Sequence, residues 1–148
     1  MNFLCFNKVF SCCLFLFFSL ENQNEADLAR RNIIDHYQKY QAEQELGVKT
    51  FSFDVTANGF VRYKRVLKNN KTEYYSVKTD KITDVSYLGT EVSGWLVINC
   101  EKESVIFQTY HDQNGDTDEM INQIKIPIKQ INIDSINSWS NDFKLLKK

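Results

Sequence analysis

Oxygen-bearing side chains alternate along one polar stretch of the chain, at Asp112, Asn114, Asp116 and Asp118. Calcium takes about six to eight oxygen ligands, and its binding loops place them at every second position. The stretch departs from an EF-hand, which needs Gly where Thr117 stands and a bidentate Glu where Gln123 stands. The pattern therefore predicts either a weak calcium site or a hairpin tip whose acids keep it soluble.

No spacing in the chain places a nucleophile beside a base. His36 and His111 belong to separate predicted elements, and the HExxH, GxSxG, phosphate-loop and dinucleotide-binding motifs are absent from the sequence. Cys100 follows an apolar, strand-like run and is expected to be an inert core thiol. We therefore predict a protein that is not an enzyme and carries no cofactor.

The first twenty residues have the pattern of a signal peptide. Lys8 is their only charge, and the twelve residues from Val9 to Leu20 carry none. A helix needs about 20 apolar residues to cross a bilayer, so a run of this length favours a cleaved segment over residues 1–20. An uncleaved short anchor over residues 3–20 is the alternative. Cys12 and Cys13 lie inside the apolar run, where burial is a better interpretation than lipid attachment.

Removal of residues 1–20 would leave 17 basic and 19 acidic side chains and a single cysteine. This balance gives no support for nucleic acid binding, which depends on clustered Lys and Arg. One cysteine makes neither an internal disulfide nor a thiolate zinc site. The remaining residues, 21–148, suit one domain held together by its core. An exported chain without disulfides indicates the periplasm or cell envelope of a bacterium.

Periodicity predicts a helix at each end of this region. In residues 24–46 apolar side chains recur every three or four positions, and Gly47 follows where helices end. Residues 133–146 repeat this spacing and form the second helix. Between them, over residues 48–128, alternation predicts seven strands, at 51–55, 60–67, 72–78, 82–88, 95–100, 105–110 and 122–128. Pro127 lacks an N–H group, so its strand should lie at an edge or an end.

Short turns between the strands make neighbours antiparallel. The expected fold is therefore α+β and mainly antiparallel β: a seven-stranded curled sheet or barrel, a C-terminal helix that caps it and an extra N-terminal helix. Seven such strands followed by a helix that carries Ile136, Trp139 and Phe143 resemble the pleckstrin-homology-like fold. The resemblance covers about Val48 to Leu146 and rests on element order and on the helix tryptophan.

Two surfaces are candidates for binding. Phosphoinositide-binding members of the family that this chain resembles carry basic residues on the first two strands, where Arg62 and Lys64 share one strand face. A solvated strand face is the simpler interpretation of these two side chains. Aromatic side chains also gather on the middle strands, Tyr74, Tyr75 and Trp95 among them, as they do at protein interfaces.

These observations predict an exported, non-catalytic interaction domain of the bacterial envelope with a protein partner. Contact with a membrane is expected only if residues 1–20 remain attached. A carrier of a small molecule or lipid inside the barrel is the alternative, because antiparallel barrels often enclose apolar cavities. An immunity or inhibitor protein is a third hypothesis. A barrel filled by Phe51, Phe53, Trp95 and Trp139 would argue against a carrier.

Overall fold

A computed structural model of the chain describes residues 24–147. The predicted signal segment, residues 1–20, and its cysteines Cys12 and Cys13 lie outside the described residues. Within them, two α-helices accompany eight β-strands, and each strand pairing is antiparallel. The predicted α+β class with mainly antiparallel strands is confirmed.

The strands form two sheets. Their bounds are β1 (Val48–Val55), β2 (Phe60–Leu67), β3 (Thr72–Lys78), β4 (Ile82–Gly89), β5 (Ser93–Cys100), β6 (Val105–Tyr110), β7 (Asp118–Ile121) and β8 (Gln123–Lys129). The larger sheet has the order β1-β2-β3-β6-β7, and the smaller has the order β4-β5-β8. The strands do not close into the single seven-stranded barrel that was expected, because β3 pairs with β6 while β4 and β5 belong to the second sheet.

The eighth strand is β7, which the sequence pattern missed. Its sequence is two acids followed by Met120 and Ile121, and three of the four residues are exposed, so it shows none of the alternation that marks a half-buried strand. β7 pairs with β6 at the edge of the larger sheet, and Asn122 then leads directly into β8 of the smaller sheet. The Asn122 carbonyl accepts a 2.9 Å hydrogen bond from the Cys100 N–H group, which holds this corner between the sheets.

The hairpin between β4 and β5 is tighter than expected. Residues Gly89–Gly94 were predicted to be a loop, but Gly89 and Gly94 pair across the two strands. A Cβ atom on Gly94 would lie 2.5 Å from the Leu88 carbonyl oxygen and 2.7 Å from the Gly89 Cα atom. Only glycine permits this approach, so the ladder extends to the turn.

The N-terminal helix is shorter than its sequence pattern indicated. Helix α1 covers residues 24–40, and a one-turn 3-10 helix follows at Glu43–Leu46. Between them Gln41 bridges Ile128, and the Ala42 N–H group donates to the Pro127 carbonyl at 3.0 Å. The chain leaves the α-helix because it pairs with the edge of β8. The edge position expected from Pro127 is confirmed.

Both helices pack into one core with both sheets. Helix α2 (Ile133–Leu145) begins at Asn132, whose side chain accepts a 2.8 Å hydrogen bond from the Ser135 N–H group. The core unites side chains of α1, both sheets and α2, the largest being Trp139, Tyr63, Phe143, Ile33, Leu96, Ile98, Ile124, Ile126 and Ile128. The interior is therefore filled by the chain's own side chains.

Trp139 is the largest fully buried side chain, and its indole nitrogen has no hydrogen-bond partner within the described part of the chain. Trp139→Ala should therefore lower the free energy of unfolding by about 3–5 kcal/mol through lost packing alone. Urea unfolding followed by circular dichroism measures this change. Ser138→Ala, exposed on the same helix, should shift stability by less than about 0.5 kcal/mol. Equal effects of the two substitutions would contradict this account of the core.

Candidate functional site

An open groove of about 440 Å³ lies where the two sheets meet. We call it the inter-sheet groove. Its seven lining residues are Arg65 and Tyr75 of the larger sheet, Ile121 and Asn122 at the corner, and Trp95, Gln123 and Lys125 of the smaller sheet. The volume falls within the range of small-ligand sites. The lining combines aromatic rings, cations and amides, and it contains no acid.

A row of stacked rings positions Tyr75 at the groove. The strand register places Tyr63 of β2, Tyr75 of β3 and Phe107 of β6 directly opposite one another. The Tyr63 and Tyr75 ring centroids are 5.6 Å apart, and those of Tyr75 and Phe107 are 4.8 Å apart. Tyr37 of α1 continues the row, with its ring 4.8 Å from Phe53. Stacked neighbours on both sides restrict the orientation of Tyr75.

A salt bridge holds Arg65 beside this row. Arg65 and Glu73 face each other across β2 and β3, and the Arg65 Nε group donates to Glu73 Oε2 at 2.6 Å. Their side chains are 18% and 12% exposed, so water screens this pair only weakly. The Arg65 guanidinium also lies 5.9 Å from the centre of the Tyr63 ring. Arg65 therefore reaches the groove from a rigid position.

Behind Arg65 lies a buried acid, Glu43, which the 3-10 helix carries into the interior with no exposed surface. The hydroxyl groups of Tyr37 and Tyr63 both donate to Glu43 Oε1, and Oε2 has no hydrogen-bond partner within residues 24–147. Burial raises the pKa of the Glu43 carboxyl above its ordinary value. This effect outweighs the two tyrosine hydrogen bonds and the charge of Arg65, which lower the pKa.

Lys71 connects the Arg65–Glu73 pair to the loop after β6. Its ammonium group lies 3.7 Å from Glu73 Oε1 and 2.7 Å from Asp112 Oδ2. The hydrogen bond from Lys71 lowers the pKa of Asp112 below its ordinary value. Lys125, on the other side of the groove, has no carboxylate partner among the described residues. Lys125 is therefore the cation of the groove that a ligand would find unpaired.

The predicted binding residues fall on opposite faces of the larger sheet. Arg62, Lys64 and Tyr74 share its outer face, where Lys64 lies directly opposite Tyr74. Tyr75, one position further along β3, is on the inner face with Tyr63 and Phe107. The predicted binding residues therefore do not form one surface. Of Arg62, Lys64, Tyr74 and Tyr75, only Tyr75 lines the groove.

The proposed calcium ligands bond mainly to their own loop. The Asp112 carboxylate accepts from the Asn114 N–H group at 3.0 Å and pairs with Lys71, while Asp116 accepts from the Asp112 N–H group at 2.9 Å. Asp118 already belongs to β7. In the part of the chain that the structure describes, no three His, Cys, Asp or Glu side chains gather as metal ligands. The geometry thus favours the alternative of a hairpin tip stabilised by its acids.

The cysteine and the histidines occupy unrelated positions. Cys100 is buried, and burial raises the pKa of its thiol to about 11, which keeps it in the less reactive protonated form. His36 does not line the groove. Its Nδ1 lies 2.8 Å from the Asn32 carbonyl oxygen, and its ring centroid lies 5.7 Å from that of Trp139. His111 lies exposed in the loop after β6.

A larger groove of about 620 Å³ lies near the start of α1, the β1–β2 turn and the end of α2. Its charged lining is mixed in sign, because Glu25 and Asp80 accompany its cations. Arg30 pairs with Asp27, the Lys147 ammonium donates to the Thr83 carbonyl at 2.9 Å, and Lys78 lies 5.9 Å from the Phe60 ring centre. We therefore place the candidate site at the inter-sheet groove, where an unpaired cation meets half-buried aromatic rings.

Comparisons with known proteins found no match for the chain. No protein-family model matches the chain, and neither a curated protein nor a solved structure matches it. Among the described helices, none combines the length and the apolar character that crossing a bilayer requires.

Sequence reasoning identified the aromatic side chains of the groove but missed its charges. Trp95 and Tyr75 both stood in the aromatic group of the middle strands. Glu43 lies within the predicted helix over residues 24–46, where nothing marked it as buried, and Glu73 and Lys125 carried no signal of their own. The only available signal was that Arg65 and Glu73 share the alternation of the buried Tyr63 and Val77. That clue becomes specific only once the register of β2 and β3 is known.

The raised pKa of Glu43 predicts a pH-dependent stability. A carboxyl whose pKa is higher in the folded state than in the unfolded state stabilises the fold at pH values below the unfolded pKa, near 4.5. This stabilisation is lost as the pH rises through the folded pKa. Glu43→Gln should therefore gain unfolding free energy relative to wild type as pH increases from 5 to about 8. Urea unfolding across this range measures the difference. Glu45→Gln, exposed in the same 3-10 helix, should show no such increase.

Proposed function

We propose that this chain is an exported, non-catalytic binding domain that holds a protein partner at the inter-sheet groove. One observation carries the proposal: the groove joins the half-buried rings of Tyr75 and Trp95 with Arg65, held by Glu73, and the unpaired Lys125. Aromatic and arginine side chains with restricted motion contribute most of the binding energy at protein interfaces.

The non-catalytic assignment rests on the groove's residue types. Its seven lining residues include no histidine, cysteine, serine or acid, the side chains that most often act as general base or nucleophile. A ligand there would meet ring faces, an aliphatic side chain, two cations and two amides that donate and accept hydrogen bonds. We infer from this lining that the groove binds without chemical conversion.

The filled interior favours a binding domain over a carrier. The space between the sheets holds Trp139, Phe53 and Tyr63, which a carrier would need to replace with an apolar cavity. Trp95, by contrast, lines the open groove. The relationship to the pleckstrin-homology-like fold remains a hypothesis of ours, supported by the buried Trp139 on the last helix.

The groove proposal predicts that binding depends on Lys125 and Trp95. The full chain and its Lys125→Glu and Trp95→Ala variants would be used as baits in envelope extract of the native host, with quantitative mass spectrometry of the captured proteins. The amount of specifically captured partner should fall at least tenfold with each variant, because each substitution removes about 1.4 kcal/mol or more of binding free energy.

The matched control is Arg62→Ala with Lys64→Ala on the outer face of the same sheet, which should capture the partner as wild type does. Thermal unfolding must first show that each bait is folded. Loss of capture by the outer-face variant alone would move the interface to that face. Absence of any specific partner for the wild-type chain would contradict the proposal.

Export is the second part of the proposal, and its support is the apolar run of residues 9–20 behind Lys8. We expect the chain expressed in a bacterial host to be recovered from the periplasm without about its first twenty residues and without an attached acyl group. Intact-mass spectrometry measures both. Leu14→Arg with Leu16→Arg should retain the uncleaved chain in the cytoplasm. A wild-type chain that keeps Met1 and sediments with membranes would support the short anchor instead.

A further inference from the structure

The inter-sheet groove has a net positive lining. Arg65 and Lys125 are its two cations, and its seven residues include no acid. Glu73, the acid that pairs with Arg65, is bound to it at 2.6 Å and lies beside Lys71. Because Glu73 offsets only one of the groove's cations, the charge of Lys125 remains for a ligand. An anion is therefore the complementary charge.

The two cations suit a carboxylate. The hydrogen bond to Glu73 uses Arg65 Nε, and the guanidinium has further N–H donors on its terminal nitrogens. A planar guanidinium and a carboxylate match in geometry, and the flexible Lys125 provides a second charge. Burial of Arg65, whose side chain is 18% exposed, strengthens a charged hydrogen bond made there.

The rest of the lining suits a peptide that ends in an apolar residue. Trp95, Tyr75 and Ile121 offer ring faces and an aliphatic surface, which bind a large apolar side chain. Asn122 and Gln123 carry amide groups that both donate and accept hydrogen bonds, as a peptide backbone does. Charge, apolar surface and amides thus occur together within one groove of about 440 Å³.

We propose that the inter-sheet groove binds the free C-terminal carboxylate of a partner polypeptide whose last residue is large and apolar. This inference rests on the proposed function and names the part of the partner that the groove recognises. Lys125 and Arg65 bind the carboxylate, and Trp95 and Tyr75 contact the last side chain. The capture of a chain terminus by oriented donors is an established mode of peptide recognition.

A matched pair of peptides tests the proposal. Two fluorescein-labelled peptides of sequence Ala-Gly-Ser-Ala-Ala-Phe, one with a free carboxylate and one with a C-terminal amide, would be titrated with the full chain and followed by fluorescence anisotropy. We expect the acid to bind about 10- to 100-fold more tightly than the amide, because a hydrogen-bonded charge contributes about 1.5–3 kcal/mol.

Variants divide the two contributions. Lys125→Gln should reduce the preference for the acid and leave the affinity for the amide unchanged, whereas Trp95→Ala should weaken both peptides equally. Lys64→Gln on the outer face is the control and should change neither affinity. Lys125 is exposed, so its substitution leaves the core intact.

Three results would overturn the inference: equal affinity for acid and amide, no binding of either peptide, or binding of N-acetylphenylalanine as tight as that of the acid peptide. The last would assign the groove to small free acids. Partner capture that still depends on Lys125 and Trp95 would then show that only the ligand class was wrong. If the acid peptide shows no preference and partner capture also does not depend on Lys125 and Trp95, the proposed function is rejected as well.

Discussion

The packing of α1 against the inner face of the larger sheet is the interaction on which the other features depend. Tyr37 of α1 lies 4.8 Å from the Phe53 ring and 6.4 Å from the Tyr63 ring, and all three are buried. This contact fills the space between the sheets with rings. It also brings the segment after α1 across the edge of β8, where Ala42 bonds to Pro127. Without it, Glu43 would have no buried position.

The same ring layer determines the electrostatics of the groove. Aromatic walls exclude water from Glu43, so its neutral form is favoured, and they strengthen the bond between Arg65 and Glu73. Arg65 and Lys71 form salt bridges with Glu73 and Asp112. Lys125 has no such partner among the described residues and is the unbalanced charge of the groove. The buried network and the groove therefore share residues. Arg65 belongs to both, because it pairs with Glu73 and lines the groove.

Local patterns predicted the elements of this fold well where one face of each is apolar. The alternation around Phe53, Tyr63 and Ile126 identified strands that the structure confirms, and the spacing around Trp139 identified α2. The exposed edge strand β7 had no such pattern and was missed. The end of α1 was misplaced because residues 41–46 keep helical spacing, but Gln41 and Ala42 pair with β8 and the next four residues form a 3-10 helix. Tertiary hydrogen bonds outweigh a weak local preference at such positions.

The sequence by itself indicated which apolar side chains form the core, because alternation along a strand and threefold or fourfold spacing along a helix follow from backbone geometry alone. It also determined the near-neutral charge and the lack of a recognisable catalytic motif. Only the tertiary structure decided how the strands divide into two sheets and that Arg65, Glu73 and Glu43 meet. These residues come from three separate segments, and their contact depends on strand register and on the path of the chain after α1. Long-range pairing of this kind has no local signal, since it is selected by the packing of the whole core.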